Sequence, residues 1–415
     1  MKKVTLSLSV ALLAMLTPNT IFASDSIKIL DDLSFEGQIR PRFETADVVD
    51  NNKERANAFT VRTSLKVASK KLFESDMIGF GVEALSVNPL GADTYNSTDN
   101  GKVTYDTIVD PNQARISQAY LDIKLPSFTL LRVGRQAVNL DNQRFVGSVD
   151  WRQMPQTLDA VSLTTSPITG LNIVGAYVYG INTVKAHPNN QSNETSSAIV
   201  NGSYKLHEMM KLRAYSYLLE SIHDTYGVAI EGNIKADAMQ ISYLGEYAIQ
   251  ADPTFENDTT KNVKADSKYY NIDLLATLDG FGVGINYEVL GEKEGSATTG
   301  FTTPLATLHK FDGWADVFLG SNNANGLIDT NVRISYMNKD FGKIELLYHT
   351  FNAQNGEDDL GSEVDAVLVT QSLGVEGLSA LLKGAFYSKG NSNAGAYVAN
   401  DKSVAWLQFD YKFKI

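Results

Sequence analysis

Leu33-Ser-Phe-Glu-Gly-Gln-Ile-Arg-Pro-Arg-Phe43 puts Leu33, Phe35, Gly37, Ile39, Pro41 and Phe43 on one side of an extended chain, and Ser34, Glu36, Gln38, Arg40 and Arg42 on the other. Successive strand side chains point to opposite faces, so this spacing describes a ribbon with one oily surface and one wet one. The same period recurs. Phe59, Val61, Thr63, Leu65 and Val67 alternate with Thr60, Arg62, Ser64 and Lys66; Met239, Ile241, Tyr243, Gly245, Tyr247 and Ile249 alternate with Gln240, Ser242 and Glu246. The chain ends on Ala405, Leu407, Phe409, Tyr411, Phe413 and Ile415 against Gln408, Asp410, Lys412 and Lys414. A soluble sandwich shows one or two such strands, whereas an unbroken meander of them is the pattern of a membrane-spanning barrel.

Working outward from these segments gives about eighteen strands, an even number as closure of a single-chain bacterial barrel requires. They are expected near 33–44, 57–68, 76–87, 113–125, 128–138, 157–166, 170–181, 196–206, 210–219, 225–234, 237–249, 267–278, 280–290, 328–338, 341–351, 362–371, 375–388 and 402–415. Connections alternate short and long. Tight ones fall at Pro126-Ser127, Asp279-Gly280 and Asn338 to Phe341; long ones at 88–112, 139–156, 182–195, 250–266 and 291–327. The fold class is therefore all-β, a transmembrane up-and-down antiparallel barrel with short periplasmic turns and long extracellular loops. At this strand number the lumen is aqueous.

Composition agrees. The 415 residues include 19 Tyr, 18 Phe, 31 Gly and no Cys, which suits strands and excludes a disulfide framework. Lys2 and Lys3 precede an apolar run from Val4 to Leu16, followed by Phe22-Ala23-Ser24, so residues 1–23 read as a cleaved signal peptide and 24–415 as one barrel domain. The run is too short to span a bilayer as a helix, which needs about 20 residues. With 36 basic and 48 acidic residues the net charge is -12, and this acidity argues against nucleic acid as a partner. The expected surroundings are outer-membrane lipid, a small hydrophilic solute in the lumen, and barrel-assembly machinery reading the terminal aromatic strand, with the barrel working as a monomer.

A channel selects by width, by lumen charge and by loops folded inside. The inward set carries Arg40, Arg42, Arg62, Lys66, Arg132, Arg213, Arg333 and Lys383 beside Glu36, Glu83, Asp122, Glu231, Glu246, Asp273, Glu345 and Asp365. These charges either form a basic ladder for an anionic solute or pair across strands as structural bridges. Loop 139–156, with Arg144 and Arg152, is too long for a hairpin turn and is the natural piece to fold inward. The long loop 291–327 gathers His309, Asp312, Trp314 and Asp316, read as a loop packed through an aromatic anchor or as a metal or sugar site. The five His show no zinc-type spacing, so no metal or cofactor is expected. Acids around Asp93 to Asp110 read as a solvated loop rather than a weak calcium site.

Several pieces in order carry a resemblance: Arg40-Pro-Arg42-Phe-Glu44, Arg62, Gly134-Arg135-Gln136, Gln143-Arg144-Phe-Val-Gly147, Asp150-Trp151-Arg152-Gln153, Asp159-Ala160-Val161, and the run from Thr303 to Asp316 that ends His309-Lys-Phe-Asp312-Gly-Trp314-Ala-Asp316. In these the chain resembles the alginate export family of outer-membrane proteins. The resemblance implies a monomeric eighteen-stranded barrel with a basic constriction, for which Arg40, Arg42, Arg62, Arg135, Arg144 and Arg152 are the candidates. Strict alternation from Leu131 and Val133 turns Arg135 outward, so placing it in the lumen requires a bulge or an early strand end at Gly134.

Two other functions compete with a porin for small hydrophilic solutes. A barrel enzyme needs a nucleophile with a base and an orienting group at the rim, and no such grouping stands out, so no catalytic residue is expected. A barrel plugged by its loops would serve a structural or adhesive role.

Overall fold

The computed structural model describes residues 30–185, 192–257, 263–319, 324–356, 358–371, 373–391 and 400–415; the expected signal peptide lies outside them. The strands are β1 (Leu30–Val48), β2 (Ala56–Leu72), β3 (Ile78–Thr94), β4 (Gln113–Leu125), β5 (Thr129–Gln136), β6 (Thr157–Thr165), β7 (Leu171–Asn182), β8 (Asn193–His207) and β9 (Met210–Leu219). They continue with β10 (His223–Ala236), β11 (Met239–Ala251), β12 (Ser267–Leu278), β13 (Phe281–Leu290), β14 (Leu327–Asn338), β15 (Gly342–Asn352), β16 (Asp359–Thr370), β17 (Leu378–Lys389) and β18 (Lys402–Lys414). Each pairs antiparallel with its chain neighbours, and β1 also pairs with β18, so the 18-stranded sheet closes on itself. No edge is left to lipid, where an unpaired N–H or C=O costs several kcal/mol.

Alternation is what lets the closed sheet sit in a membrane. On β12, β13 and β14 the side chains of Ile272, Leu274, Val283, Ile285, Val332 and Ile334 lie exposed on the outside, while Asn271, Glu288, Asp329 and Asn331, of the opposite parity on the same strands, are buried inside. Closure also uses close packing at the seam: the Phe413 ring lies over Gly37, where a Cβ would stand 2.2 Å from it. The turn Asp279-Gly280 has both residues at positive φ (49° and 85°), the turn that matches strand twist.

Strand positions agree with the sequence reading to within a few residues except above the membrane. There β1 extends to Val48 and β3 to Thr94, several rungs beyond their expected ends at 44 and 87. Outside the lipid layer neither face needs to be oily, so the period-two signal ends before the ladder does. The connection from β9 to β10 is three residues on the side of the long loops, an exception to the alternation.

Candidate functional site

Loop 137–156, between β5 and β6, turns into the lumen and meets the wall of β1 and β2. Left-handed backbone at Asp141 (52°), Gln143 (69°) and Val149 (51°) folds it back on itself, leaving its carbonyls without a ladder. Wall guanidiniums take them. Arg40 donates to the carbonyls of Asp150 (2.9 Å) and Arg152 (2.6 Å) and to Gln153 Oε1 (3.0 Å). Both Arg42 terminal nitrogens reach the Trp151 carbonyl at 2.7 and 2.9 Å, and Arg115 of β4 reaches that of Pro155. Arg62 pairs with Asp150 at 2.5 Å. Burial alone raises the Asp150 carboxyl, but Arg62 and Arg40 outweigh it and hold it below its ordinary value.

Residues 291–319, in the connection between β13 and β14, also enter the lumen and lie against the first loop. Gly147 N–H donates to the Leu305 carbonyl (2.8 Å), Thr307 N–H to that of Gln143 (3.1 Å) and Val149 N–H to Thr307 Oγ1 (3.1 Å). Two arginines of the first loop each join one wall carboxylate to one carboxylate of the second. Arg144 holds Glu288 of β13 (2.8 Å) and Asp312 (3.0 Å); Arg152 holds Glu44 of β1 (2.9 Å) and Asp316 (3.1 Å). Both guanidiniums are held firmly charged: burial works against them, and the paired carboxylates more than compensate.

All three tryptophans of the chain gather where the loops meet β17 and β18. Trp151 stacks on His309 at 4.3 Å between ring centres, and Trp406 stands edge-on to both. The Lys383 ammonium lies over Trp314 (3.7 Å) and Trp151 (4.4 Å) and donates to His309 Nε2 at 2.7 Å. That bond requires an unprotonated Nε2, so the proton sits on Nδ1 and is donated to Asp316 Oδ1, 2.7 Å away. Burial pushes His309 down to about 3 against the pull of Asp316, so the ring is neutral at neutral pH. Asp316 is itself held low, because His309 and Arg152 outweigh its burial. The second loop hangs from β16 by its amides: Trp314 N–H donates to Asp365 Oδ2 (3.1 Å) and Ala315 N–H to Glu363 Oε1 (2.6 Å).

The structure thus merges two groups that the sequence suggested separately: Arg40, Arg42, Arg62, Arg144 and Arg152 meet His309, Asp312, Trp314 and Asp316 in one network. The other expected site residues lie outside this network, although Arg213 also reaches the first loop at Asp141. Arg213 is bound by Glu246 (2.6 Å), Glu231 (3.1 Å) and Asp141 (3.4 Å), and Arg333 by Asp273 through both oxygens. Glu36 pairs with Lys414 at the periplasmic mouth, and Glu83 accepts from Ser117 and Gln118 at a bulge in β4. Arg135 is not in the lumen. β5 pairs with β4 and β6 without a register shift and continues to Gln136, so Arg135 keeps the outward parity of Val133 and bridges to Asp159, directly opposite on β6, at 2.7 Å. The loop acids need correction too. Asp106 and Asp110 are buried rather than solvated: Asp110 accepts from Gln153 N–H, and Asp106 accepts from Val48 N–H and Asn51.

Carboxylates of Glu288, Asp312 and Asp329 come within 4.8 Å of one another, the spacing of a metal-holding group. Arg144 takes the first two and His349 the third (2.9 Å), so the cluster forms an ion-pair node. Below the loops the lumen widens into polar spaces of mixed sign. One of about 710 Å³ is lined by Glu36, Lys66, Glu83, Lys412 and Lys414, and one of about 460 Å³ by Lys211, Glu231, Asn233 and Asp273. Sequence reading missed Trp406, Asp110, Glu288 and Glu363 as partners of the loops, although parity along β13, β16 and β18 was enough to turn Glu288, Glu363 and Trp406 inward.

A closed 18-stranded sheet with a lipid-facing outside, a polar inside and loops folded into the lumen defines an integral outer-membrane channel. The family model described as alginate export matches residues 31–282, more than half of the chain, and the chain belongs to that family; the run from Thr303 to Asp316 lies beyond the matched span. Comparison with curated proteins gives no match. Among solved structures, OpdO of Pseudomonas aeruginosa aligns at TM-score 0.70 and 16% identity over 93% of this chain and 98% of its own. OpdK of the same organism, solved with vanillate, aligns at 0.72 and 14% over 94% and 100%. OccAB2 of Acinetobacter baumannii aligns at 0.72 and 19% over 93% and 99%. These likenesses show the fold.

Proposed function

We propose that this channel passes small hydrophilic solutes passively, sugar acids among them, and that it selects them more by width than by charge. One observation carries this: two loops fold into a polar-walled barrel and bind each other and the wall, while the arginines expected to line a basic constriction are matched by carboxylates or carbonyls. A guanidinium already forked onto a partner offers a passing anion little. We also assign outer-membrane lipid to the apolar outer belt and barrel-assembly machinery to insertion through β18, and the barrel works as a monomer. A second reading, a barrel plugged by its loops, is favoured by the apolar side chains wedged among them: Phe145 lies 5.0 to 6.1 Å from the rings of Tyr215, Tyr217, Tyr269 and Phe301. Planar-bilayer recording separates the two. Stepwise currents with a small shift of reversal potential in a salt gradient support the size-selective channel; silent, fully inserted barrels support the plug. A strongly anion-selective reversal potential that collapses in Arg144→Ala and Arg152→Ala would restore the basic constriction.

A further inference from the structure

Beneath the loop pair lies a smaller space of about 160 Å³, roofed by Asn142, Lys310, Phe311, Asp312 and Trp314 and walled by β11 to β15. On its wall three carboxamides on adjacent strands are linked: Asn286 Nδ2 donates to Asn271 Oδ1 (2.7 Å) and Asn331 Nδ2 to Asn286 Oδ1 (3.3 Å). Asn331 is 93% buried, and its Oδ1 accepts from no donor.

From this geometry we infer that the space is a station for an uncharged polyhydroxyl solute the size of one sugar ring. The inference rests on the channel reading above and names a solute class for it. Size comes first: drug-sized ligands occupy about 300–1,000 Å³, and this space is smaller. Charge comes second. Asp273, Glu288, Asp312 and Asp329 contribute four acids to the lining, against Lys310, Arg333 and His349. Arg333 is forked onto Asp273 and His349 onto Asp329, and the Lys310 ammonium donates to the Asn142 carbonyl at 2.9 Å. An anion would therefore find each of these cations already engaged. A cation would find those acids already bound, Glu288 and Asp312 by Arg144, Asp329 by His349 and Asp273 by Arg333. What remains for a solute is the Asn331 Oδ1 acceptor, since the amide nitrogens of the row are engaged as well, Asn331 Nδ2 donating to Asp329 Oδ2 (3.4 Å), Asn286 Nδ2 to the Ile272 carbonyl (3.4 Å) and Asn271 Nδ2 to the Tyr269 hydroxyl (3.1 Å). A hydroxyl donating to Asn331 Oδ1 also satisfies a buried acceptor.

The test uses the full barrel with D-glucose, D-glucuronate and L-lysine at equal concentrations. Glucose and glucuronate share a ring and differ in one carboxylate. Two readouts are taken: interruption of ion current in planar bilayers, and tryptophan fluorescence in detergent, which Trp314 on the lining should report without any need for conduction. The expected result is that glucose interrupts current and changes fluorescence at lower concentration than the other two, and that Asn331→Leu weakens both effects by about tenfold, the size of one lost buried hydrogen bond. Asn286→Leu should do the same, and heat-modifiable gel migration checks that each variant is folded. A tighter effect of glucuronate or lysine overturns the inference, and so does a conducting barrel whose current and fluorescence ignore glucose. A silent barrel whose fluorescence still responds to glucose would sink the channel reading while leaving the station standing.

Discussion

The two lumen loops are held by opposite chemistries. Segment 150–155 presents carbonyl oxygens, and wall guanidiniums of Arg40, Arg42 and Arg115 take them. Segment 314–315 presents N–H groups, and wall carboxylates of Asp365 and Glu363 take those, with a neutral imidazole beside them. A guanidinium keeps its charge at any physiological pH, whereas carboxylates and imidazoles exchange protons. The first anchorage is therefore permanent, and the second is the one that conditions can loosen.

The largest effect is expected at the permanent anchorage. Arg42→Met removes the fork on Trp151 and leaves Asp110 buried without its cation, while Glu44 keeps Arg152, a loss of about 3–5 kcal/mol. It should appear as a marked fall in the temperature at which the folded gel band disappears, and an unchanged temperature would mean that the guanidinium anchorage is ornamental.

Acid should single out the other anchorage. His309 is held at about 3 in the docked loop against an ordinary 6.5, so the undocked loop binds the proton first. Docking is then fully stable above about 6.5 and weakens progressively as pH falls toward about 3. Open-channel noise should rise between pH 7 and pH 4, and His309→Phe, which keeps the stack on Trp151 but cannot titrate, should flatten that rise. Noise that is independent of pH in the parent barrel would break the contrast.

A smaller effect is expected at Gly313. Its φ is 81°, and a Cβ would stand 2.5 Å from Glu363 Oε2. Gly313→Val should cost about 1–2 kcal/mol for the left-handed backbone, with faster proteolysis of residues 291–319 and not of loop 137–156. Cleavage of both loops together would show that they are one unit. The smallest effect belongs to Arg55, exposed above the membrane and paired with Asp47: Arg55→Ala should change the unfolding temperature by no more than an exposed ion pair allows, about 0.5 kcal/mol.

How much of the site was legible depends on distance along the chain. The inward parity of Arg40, Arg42, Arg62, Arg213 and Arg333 followed from alternation alone. Loop 139–156 was recognisable as an inward piece from its length and its arginines. Its partners were not legible, since Arg144 meets Asp312 and Arg152 meets Asp316 across separations of 168 and 164 residues, and no local pattern specifies which loop will face which. Arg135 was legible in the other direction: strict parity put it outside, and there it is.

Local alternation by itself determined the barrel, because a strand between lipid and water must separate its two kinds of side chain at every second residue, wherever it lies in the chain. Tertiary structure alone decided that the lumen arginines are tied down. Whether a buried cation greets a solute or a neighbouring carboxylate depends on which groups the closed wall and the folded loops bring within about 3 Å, and that distance is written nowhere along the chain.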